Sequence, residues 1–258
     1  MELDINNLAA FAEELADAAR EVSLKYFRTS ISTKSKADAS PVTIADRETE
    51  LVLRDRIRSV FPSHGVFGEE FDPINADSEY VWVLDPIDGT KSFITGKPLF
   101  GTLIGLLYRG EAIMGVCDMP ALRERWVGKR EHQTTFNGRP TRVRQCPGLQ
   151  KAWLYATSPQ MFTEENFSKF ETLRKSIQHA VYGAECQAYG LLSSGWVDIV
   201  CEDTMEPYDY VALVPIVTGA GGVMTDWSGR PLGLEGDGTV LALGEPKLHN
   251  QILEILKT

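Results

Sequence analysis

The chain has 258 residues, long enough for one large domain or for two subdomains that share a core. Apolar residues make up 43% and charged residues 24% of the sequence, which is typical of a folded protein and excludes wholesale disorder. Its 36 acidic and 26 basic side chains give a net charge of -10, which argues against a general binder of nucleic acid or anionic membranes.

The first half of the chain predicts two helices followed by strands. Apolar residues recur at helical spacing from Leu8 to Tyr26 and predict a long amphipathic helix, capped by Asn6 or Asn7. After a polar loop at 30–40 and a short extended segment at 41–44, a second helix is predicted to begin at Asp46. Predicted strands lie at 66–68, at 80–84 and, with intervening turns, between 99 and 126.

Near Cys146 the pattern changes to an alternation of strands and helices. Predicted strands lie at 152–157, 197–201 and 240–243, and predicted helices at 164–176, 185–194, 208–218 and 246–256. The change predicts two subdomains, residues 1–148 and 149–258, without a long flexible linker between them.

Acidic residues gather in three clusters, each where a predicted strand ends. The clusters are Glu69-Glu70, the segment 85–90, and Glu206 with Asp209. Strand ends are where α/β folds place their chemistry. Carboxylates that converge there repel one another unless a hard cation binds between them, and Mg²⁺ prefers oxygen ligands. The sequence therefore predicts a magnesium site, and a bound cation would let an acidic protein accept a phosphorylated substrate.

The segment 85–90 reads D-P-I-D-G-T and is the densest of these signals. Pro86 restricts Asp85 to extended conformations, so that Asp88 can face the same point. Gly89 allows close approach of a ligand to the backbone, and Thr90 offers a hydroxyl group. A helix that starts here would present free N–H groups to an anion. The alternative is an Asp-Pro turn followed by a capped helix, which the other two clusters make a poor explanation.

These motifs resemble those of the inositol monophosphatase family of magnesium-dependent phosphomonoesterases. The resemblance covers nearly the whole chain and rests on the segments 41–46, 68–70, 85–90 and 209–222. It implies an α+β fold, the layered αβαβα sandwich of that family, and a homodimer that hydrolyses a small-molecule phosphate ester.

The resemblance also implies roles for individual residues. It makes metal ligands of Glu69, Asp85, the Ile87 carbonyl, Asp88 and Asp209. It implies that Asp46 and Thr90 orient and activate the attacking water, with Glu70 as a further catalytic candidate. Gly89 and Thr90 would bind phosphate through backbone N–H groups, with Asp88 and Asp209 beside the substrate.

Three departures from the inositol-type pattern bear on the substrate. The D-G-T motif continues as Lys91-Ser92-Phe93 rather than T-N-F, Tyr208 replaces a Trp, and Glu185 stands where a small residue is usual. This set resembles the histidinol-phosphate phosphatase branch, which acts in histidine biosynthesis.

The charge of histidinol phosphate agrees with that branch. Its ammonium and imidazole groups could pair with Glu185, helped by Glu202 and Asp203 nearby. Glu202 is a contact of the leaving group by resemblance, whereas the role of Glu185 is inferred from its place in the motif. The alternative for Glu185 is stabilisation of a helix N-terminus.

The sequence therefore predicts hydrolysis of histidinol phosphate to histidinol and phosphate. The alternatives are an inositol monophosphatase or a broad-specificity phosphatase, and, in another class, a metal-binding or regulatory protein without activity. The intact set of acidic residues argues against the last of these.

Location follows from what the sequence lacks. The first residues carry no secretory signal, and the apolar stretch that begins at Val211 is interrupted by Pro215 and several glycines, which is too short to span a bilayer. None of the four cysteines has zinc-site or C-x-x-C spacing, so reduced thiols are expected. A cytoplasmic protein with neither a membrane nor a nucleic-acid partner is predicted.

Overall fold

The structure is a computed structural model that describes residues 4–30, 33–35 and 41–257. Helix α1 (Ile5–Tyr26) is capped by Asp4, whose carboxylate accepts the Asn6 N–H, so the predicted caps at Asn6 and Asn7 are wrong. Strands β1 (Thr33–Ser35) and β2 (Pro41–Thr43) pair antiparallel. Strand β1 therefore replaces part of the predicted loop at 30–40; the rest of that loop, apart from its first residue, lies outside the described residues.

Helix α2 (Ile44–Val60) begins two residues before the predicted start. The Thr43 hydroxyl accepts the Ala45 N–H, and the Asp46 carboxylate reaches back to the Thr43 N–H in a capping box. These two bonds satisfy N–H groups that the helix leaves unpaired at its first turn. Asp46 is therefore fixed inside the first turn rather than at its start.

A seven-stranded sheet follows, in the order β3-β4-β5-β6-β7-β8-β9. Its strands are β3 (Gly65–Gly68), β4 (Tyr80–Asp88), β5 (Gly101–Tyr108), β6 (Glu111–Met119), β7 (Glu124–Lys129), β8 (Thr135–Phe136) and β9 (Arg139–Pro140), with the short helix α3 (Thr90–Ile94) after β4. Only β3 and β4 pair in parallel; the other neighbours are antiparallel.

Strand β4 continues to Asp88 instead of ending at Leu84 as predicted. Asp85 pairs with Leu103 and Asp88 with Gly101, so β4 has one residue more than β5 between these two pairs. In a regular strand, residues three apart point to opposite faces of the sheet. The extra residue of this bulge lets the side chains of Asp85 and Asp88 reach the same side.

A five-stranded mixed sheet is built from the second half of the chain, in the order β11-β10-β12-β14-β13. Its strands are β10 (Trp153–Ala156), β11 (His179–Tyr182), β12 (Ile199–Glu202), β13 (Val223–Thr225) and β14 (Val240–Leu243). The helices of this half are α4 (Glu164–Ser176), α5 (Gln187–Ser193), α6 (Pro207–Tyr210), α7 (Leu213–Gly219) and α8 (His249–Leu256). Strands β11 and β13 were not predicted.

Three predicted helices differ from those observed in the second half. The helix predicted at 246–256 begins as α8 only at His249, after a 3-10 turn at Pro246–Leu248. The helix predicted at 208–218 is divided into α6 and α7, because Pro215 has no N–H to bond to the Val211 carbonyl. Helix α7 begins two residues before this proline, where a missing N–H costs little. Helix α5 begins at Gln187, not at Glu185, because Glu185 has a left-handed backbone with φ of 49°.

Five layers result, and the predicted α+β αβαβα sandwich is confirmed. Helices α1 and α2 cover one face of the seven-stranded sheet, α5 and α7 lie between the two sheets, and α4 and α8 cover the outer face of the five-stranded sheet. In the sequence, the strands of the seven-stranded sheet all precede residue 148 and those of the five-stranded sheet all follow residue 149. In space, one apolar cluster joins the two sheets through the middle helices. The division into two subdomains at this point stays a prediction.

Glycines let the middle layer approach the seven-stranded sheet closely. A Cβ at Gly115 of β6 would lie 1.8 Å from the Ala212 carbonyl oxygen, and one at Gly105 of β5 would lie 2.9 Å from the Val211 side chain. Such contacts are shorter than van der Waals distance, so these positions require glycine. The close approach brings α6, which carries Asp209, against the end of β4.

Candidate active site

Three carboxylates converge where the middle layer meets the end of β4. Carboxylate oxygens of Asp85, Asp88 and Asp209 all lie within 4.8 Å of one another. The β4 bulge supplies the first two, and the short helix α6 supplies the third, whose Oδ2 accepts the Glu206 N–H at 2.8 Å. Residues of the seven-stranded sheet and of the short helix α6 therefore form one cluster of oxygen donors.

The electrostatics of this cluster are those of a cation site. Burial, followed by the charges of Glu69 and Asp88, raises the pKa of Asp85 well above its usual value. Burial and the charge of Asp88 raise the pKa of Asp209 in the same way. Burial raises the pKa of Asp88 to about 7, against a hydrogen bond from the Cys186 N–H that lowers it. A cation among these oxygens would relieve the repulsion, and an all-oxygen donor set suits a hard divalent ion.

Glu69 and Ile87, the other predicted metal ligands, lie next to this cluster, but Glu69 is not part of the group whose oxygens lie within 4.8 Å of one another. Glu69 follows β3 directly and lines the same cleft as Asp88 and Asp209. The Ile87 side chain is buried in a small apolar cluster, and its carbonyl accepts the Thr90 hydroxyl at 3.2 Å. Glu70 is not among the residues that line the cleft; its N–H donates to Glu50.

Asp46 and Thr90, the predicted water-activating pair, are in contact. The Thr90 hydroxyl lies 3.4 Å from Asp46 Oδ1. Asp46 Oδ2 accepts both the N–H and the hydroxyl of Thr43, at 2.9 and 2.6 Å. The capping box of α2 thus fixes one oxygen of the Asp46 carboxylate and aims the other at Thr90. A proton leaving the Thr90 hydroxyl would have an acceptor in place.

Gly89 connects the metal cluster to the rest of the cleft. Its backbone is left-handed with φ of 82°, and it caps α3, which begins at Thr90. A Cβ at this position would lie 2.8 Å from Glu185 Cγ. The D-G-T turn therefore packs directly against the side chain that the sequence singles out for substrate selection.

Two of the departures from the inositol-type pattern meet here. The Ser92 hydroxyl donates to Glu185 Oε1, and the Lys97 ammonium lies 3.8 Å from the same oxygen while it donates to the Gly183 carbonyl. The Glu185 side chain is only 10% exposed, and its buried Oε2 has no hydrogen-bond partner among the described residues. Glu185 lies before the first turn of α5 rather than within it, and its side chain bonds to Ser92 and not to an N–H of the helix.

Glu202 ends β12 at the wall of the cleft and is fully engaged. Its Oε1 accepts the N–H and hydroxyl of Thr157, and its Oε2 accepts the Tyr189 hydroxyl at 2.7 Å. Burial raises the pKa of Glu202, whereas these hydrogen bonds lower it. The predicted help from Asp203 is wrong, since its carboxylate accepts N–H groups of Thr163 and Thr204 and does not line the cleft.

The cleft has a volume of about 220 Å³ and an apolar side that the sequence analysis missed. Its lining includes, besides the predicted residues, Lys91, Thr157, Met161, Cys186, Tyr189 and Met205. These residues come from distant parts of the chain and form no local motif. Ser92 was visible as a departure from the inositol-type pattern, but its contact with Glu185 was not predicted.

Known proteins resemble this chain over nearly its whole length. The model of the inositol monophosphatase family matches residues 4–258. A bifunctional phosphatase, IMPL2, chloroplastic, of Arabidopsis thaliana is 46% identical over 98% of this chain and 76% of its own length. A histidinol-phosphatase of Chlorobaculum parvum is 36% identical over 90% of each chain.

Among solved structures, an inositol monophosphatase from Zymomonas mobilis is 40% identical, covers 100% of both chains and superposes with a TM-score of 0.91. The chain belongs to the inositol monophosphatase family and is a phosphatase of that family. None of the helices within 4–30 and 41–257 is long and apolar enough to cross a membrane.

Proposed function

We propose that this phosphatase hydrolyses histidinol phosphate to histidinol and phosphate with Mg²⁺ as cofactor. The observation that carries the substrate assignment is Glu185, a buried carboxylate on the cleft wall with one oxygen left without a partner in the described structure. Relatives named histidinol-phosphatase, 36% and 32% identical to this chain, add support.

Magnesium is proposed because the donors are carboxylate oxygens and because this ion retains waters that can be activated. Asp85, Asp88, Asp209, Glu69 and the Ile87 carbonyl would hold it. Bound there, divalent ions would neutralise the phosphoryl oxygens, lower the pKa of a bound water and stabilise the leaving oxygen.

The chain itself would position the nucleophile and the phosphate. The Thr90 hydroxyl would accept a hydrogen bond from the attacking water and pass its own proton toward Asp46 Oδ1, 3.4 Å away. The backbone N–H groups of Gly89 and Thr90 would hold the phosphate beside the carboxylate cluster. In-line placement of water and phosphate supplies much of the acceleration in such reactions.

Glu185 would determine which alcohol the site accepts as the leaving group. The aliphatic part of its side chain packs on Gly89, so a group esterified to a phosphate at the D-G-T turn would pass close to Glu185. Histidinol carries an ammonium and a titratable imidazole, whereas inositol is neutral. Lys97 offsets part of the Glu185 charge at 3.8 Å from Oε1, which leaves Oε2 for a substrate cation. Met161 and Met205 would contact the carbon atoms of the histidinol imidazole ring.

Glu185→Gln tests this assignment. A charge-assisted hydrogen bond contributes about 1.5–3 kcal/mol, so kcat/KM for histidinol phosphate should fall about 10- to 150-fold. The kcat/KM for inositol phosphate and glycerol phosphate should change little, since neither carries a cation. Steady-state kinetics on all three esters at one magnesium concentration would measure the change in selectivity.

Glu124→Gln is the matched control. Glu124 accepts a hydrogen bond from Gln187 in the first turn of α5 at 2.9 Å, but it does not line the cleft. It should leave selectivity unchanged. Parallel losses on all three esters in Glu185→Gln, or no loss on histidinol phosphate, would reject the recognition role.

A second candidate is an inositol monophosphatase or a phosphatase of broad specificity. Similarity to the Zymomonas mobilis inositol monophosphatase and to a plant enzyme named as bifunctional favours it. It predicts comparable kcat/KM for inositol phosphate and histidinol phosphate in the unmodified protein.

The assembly and location stay predictions. We propose a homodimer. The edge of the five-stranded sheet, where Tyr182 of β11 and Trp153 of the neighbouring strand β10 are about 40% exposed, is a surface that a second copy could cover. Sedimentation equilibrium would give twice the monomer mass of 28.7 kDa, and a monomer at micromolar concentration would contradict the proposal. The cytoplasmic location is likewise proposed from the sequence alone.

A further inference from the structure

A buried ion pair on α2 lies beneath the segment that carries Glu69. Glu50 is fully buried and Arg54 is 5% exposed. They are one helical turn apart, and Arg54 Nε donates to Glu50 Oε1 at 2.7 Å. We refer to these two residues as the Glu50–Arg54 clamp.

The clamp binds three consecutive backbone positions directly after Glu69. Glu50 Oε2 accepts the Glu70 N–H at 2.7 Å. Arg54 Nη2 donates to the Phe71 carbonyl at 2.7 Å and Nη1 to the Asp72 carbonyl at 3.0 Å. Both Glu50 oxygens and all three Arg54 nitrogens are thus used: two of these five atoms form the ion pair, and the other three bond to the backbone of residues 70–72.

Gly68, the residue before Glu69, leaves room for the Glu50 carboxylate because it has no side chain. A Cβ at Gly68 would lie 2.2 Å from Glu50 Oε1, so any larger residue would push the carboxylate away. The Glu69 backbone is therefore enclosed, with Gly68 packed on Glu50 on one side and Glu70 hydrogen-bonded to Glu50 on the other.

Stability alone is a weak reason for such a pair. Replacing a buried ion pair by apolar residues of similar size is often neutral or stabilising, because desolvation of the charges offsets their attraction. The pair instead supplies hydrogen bonds of defined direction. A planar guanidinium group and a carboxylate can together fix the positions of several backbone groups.

We propose that Glu50 and Arg54 are positioning residues that set the Glu69 carboxylate against Asp85, Asp88 and Asp209. Helix α2 then positions both the residue that accepts the proton and a metal ligand. Asp46 lies in its first turn, and Glu50 and Arg54 lie one and two turns further on. The inference rests on the metal site of the proposed function but not on the identity of the substrate.

Arg54→Lys tests the clamp. Lysine retains the charge beside Glu50 but cannot reach two carbonyls with a planar fork. Loss of groups that orient metal ligands typically weakens metal binding 10- to 100-fold, so the Kd for Mg²⁺ in isothermal titration calorimetry should rise about 10-fold or more. The value of kcat at saturating Mg²⁺ should stay within about 3-fold of the unmodified enzyme, because the ligands themselves remain.

Arg125→Lys is the matched control. Arg125 is a mostly buried arginine on β7 that bonds Asp118 at 2.7 Å and Asp17 at 2.6 Å, away from the cleft. Both variants should lose some melting temperature, but only Arg54→Lys should change the Kd for Mg²⁺. An equal Kd in both variants would show the clamp to be structural only and overturn the proposal.

A second variant covers the case in which Arg54→Lys does not fold. Glu50→Gln keeps an acceptor for Arg54 but weakens the bond to the Glu70 N–H, and it should raise the Kd for Mg²⁺ about 3- to 10-fold. An unchanged Kd in this variant also overturns the proposal. The titration contains no phosphate ester, so a wrong assignment of histidinol phosphate would leave its result unaffected.

Discussion

Because the three converging carboxylates repel one another, we expect a substitution at one of them to stabilise the metal-free protein, whereas most substitutions at buried residues destabilise. Asp85→Asn removes one of three negative groups whose oxygens lie within 4.8 Å of one another. Two unit charges at 4.8 Å repel by about 3.5 kcal/mol at an effective dielectric constant near 20. Bound protons reduce this figure, so metal-free Asp85→Asn at pH 8 should gain about 1–3 kcal/mol in free energy of unfolding, or about 3–10 °C in Tm.

Added Mg²⁺ should reverse the order of stability. A ligand present at 100 times its Kd stabilises the folded state by about 2.7 kcal/mol, and the unmodified protein should show a shift of this kind. Asp85→Asn should show little shift, and its phosphatase activity should fall about 100-fold or more because a ligand charge is missing. The change would thus stabilise the metal-free protein and inactivate the enzyme.

The stability that metal-free protein gains from Asp85→Asn should also depend on pH. Burial raises the pKa of Asp88 to about 7, whereas an exposed aspartate titrates near 4. A group whose pKa is raised by folding contributes stability that is fully present below the unfolded pKa and is lost as the pH rises through the folded pKa. Metal-free protein should therefore lose stability between about pH 4 and pH 7, and the advantage of Asp85→Asn should grow over the same interval.

Thermal melts in chelator and in Mg²⁺, followed by circular dichroism, measure these effects. Asp118→Asn is the control, because Asp118 is a fully buried aspartate of the same sheet that bonds Arg20 at 2.5 Å and Arg125 at 2.7 Å. Its loss leaves two guanidinium groups without that partner and should lower Tm. If Asp85→Asn lowers Tm in chelator as Asp118→Asn does, or if Mg²⁺ stabilises it as much as the unmodified protein, the reasoning is refuted.

Two further predictions concern turnover. Thr90→Ala should lower kcat about 100-fold and leave KM within about 3-fold, since the hydroxyl is assigned to the water rather than to the phosphate; steady-state kinetics would contradict this if KM rose sharply at unchanged kcat. Ca²⁺ should support less than about a tenth of the rate with Mg²⁺, because its longer and looser coordination would misplace water and phosphate; equal rates of phosphate release with both ions would contradict it.

The sequence predicted much of the fold because its local signals agree with its layers. The helical periodicity of α1 and the buried strand at β14 are visible without knowledge of neighbours, and α4 has its predicted bounds. Strand β11 was missed because it is a short edge strand, with two of its four residues exposed, and lacks a regular alternation. Its pairing with β10 depends on residues that lie more than 20 positions earlier in the chain.

Details at the site were harder to predict, for reasons of backbone geometry. The bulge in β4 depends on register with β5, which no local pattern specifies. The left-handed backbone of Glu185 makes α5 begin two residues later than predicted, and the sequence gives no sign of this because the residue is not glycine. The acidic clusters themselves were recognisable, because a metal site needs several carboxylates and few other structures tolerate them together.

Separate layers supply the two ends of the cleft, and this separation has a consequence for specificity. The carboxylate cluster depends on β4 and α6, and the D-G-T turn on β4, whereas the walls near the alcohol come from β12 and from the segments around Glu185 and Met161. A substitution at Glu185 can therefore alter which alcohol is accepted without moving the metal ligands. Gly89 touches both ends, because a Cβ there would collide with Glu185 Cγ at 2.8 Å, and Asp88 links them as well, because its carboxylate accepts the Cys186 N–H at 2.7 Å. Under the proposed assignment of phosphate to the D-G-T turn, a change at Gly89 would disturb the binding of phosphate and alcohol together. We therefore expect selectivity between phosphate esters to vary on the second-sheet side of the cleft.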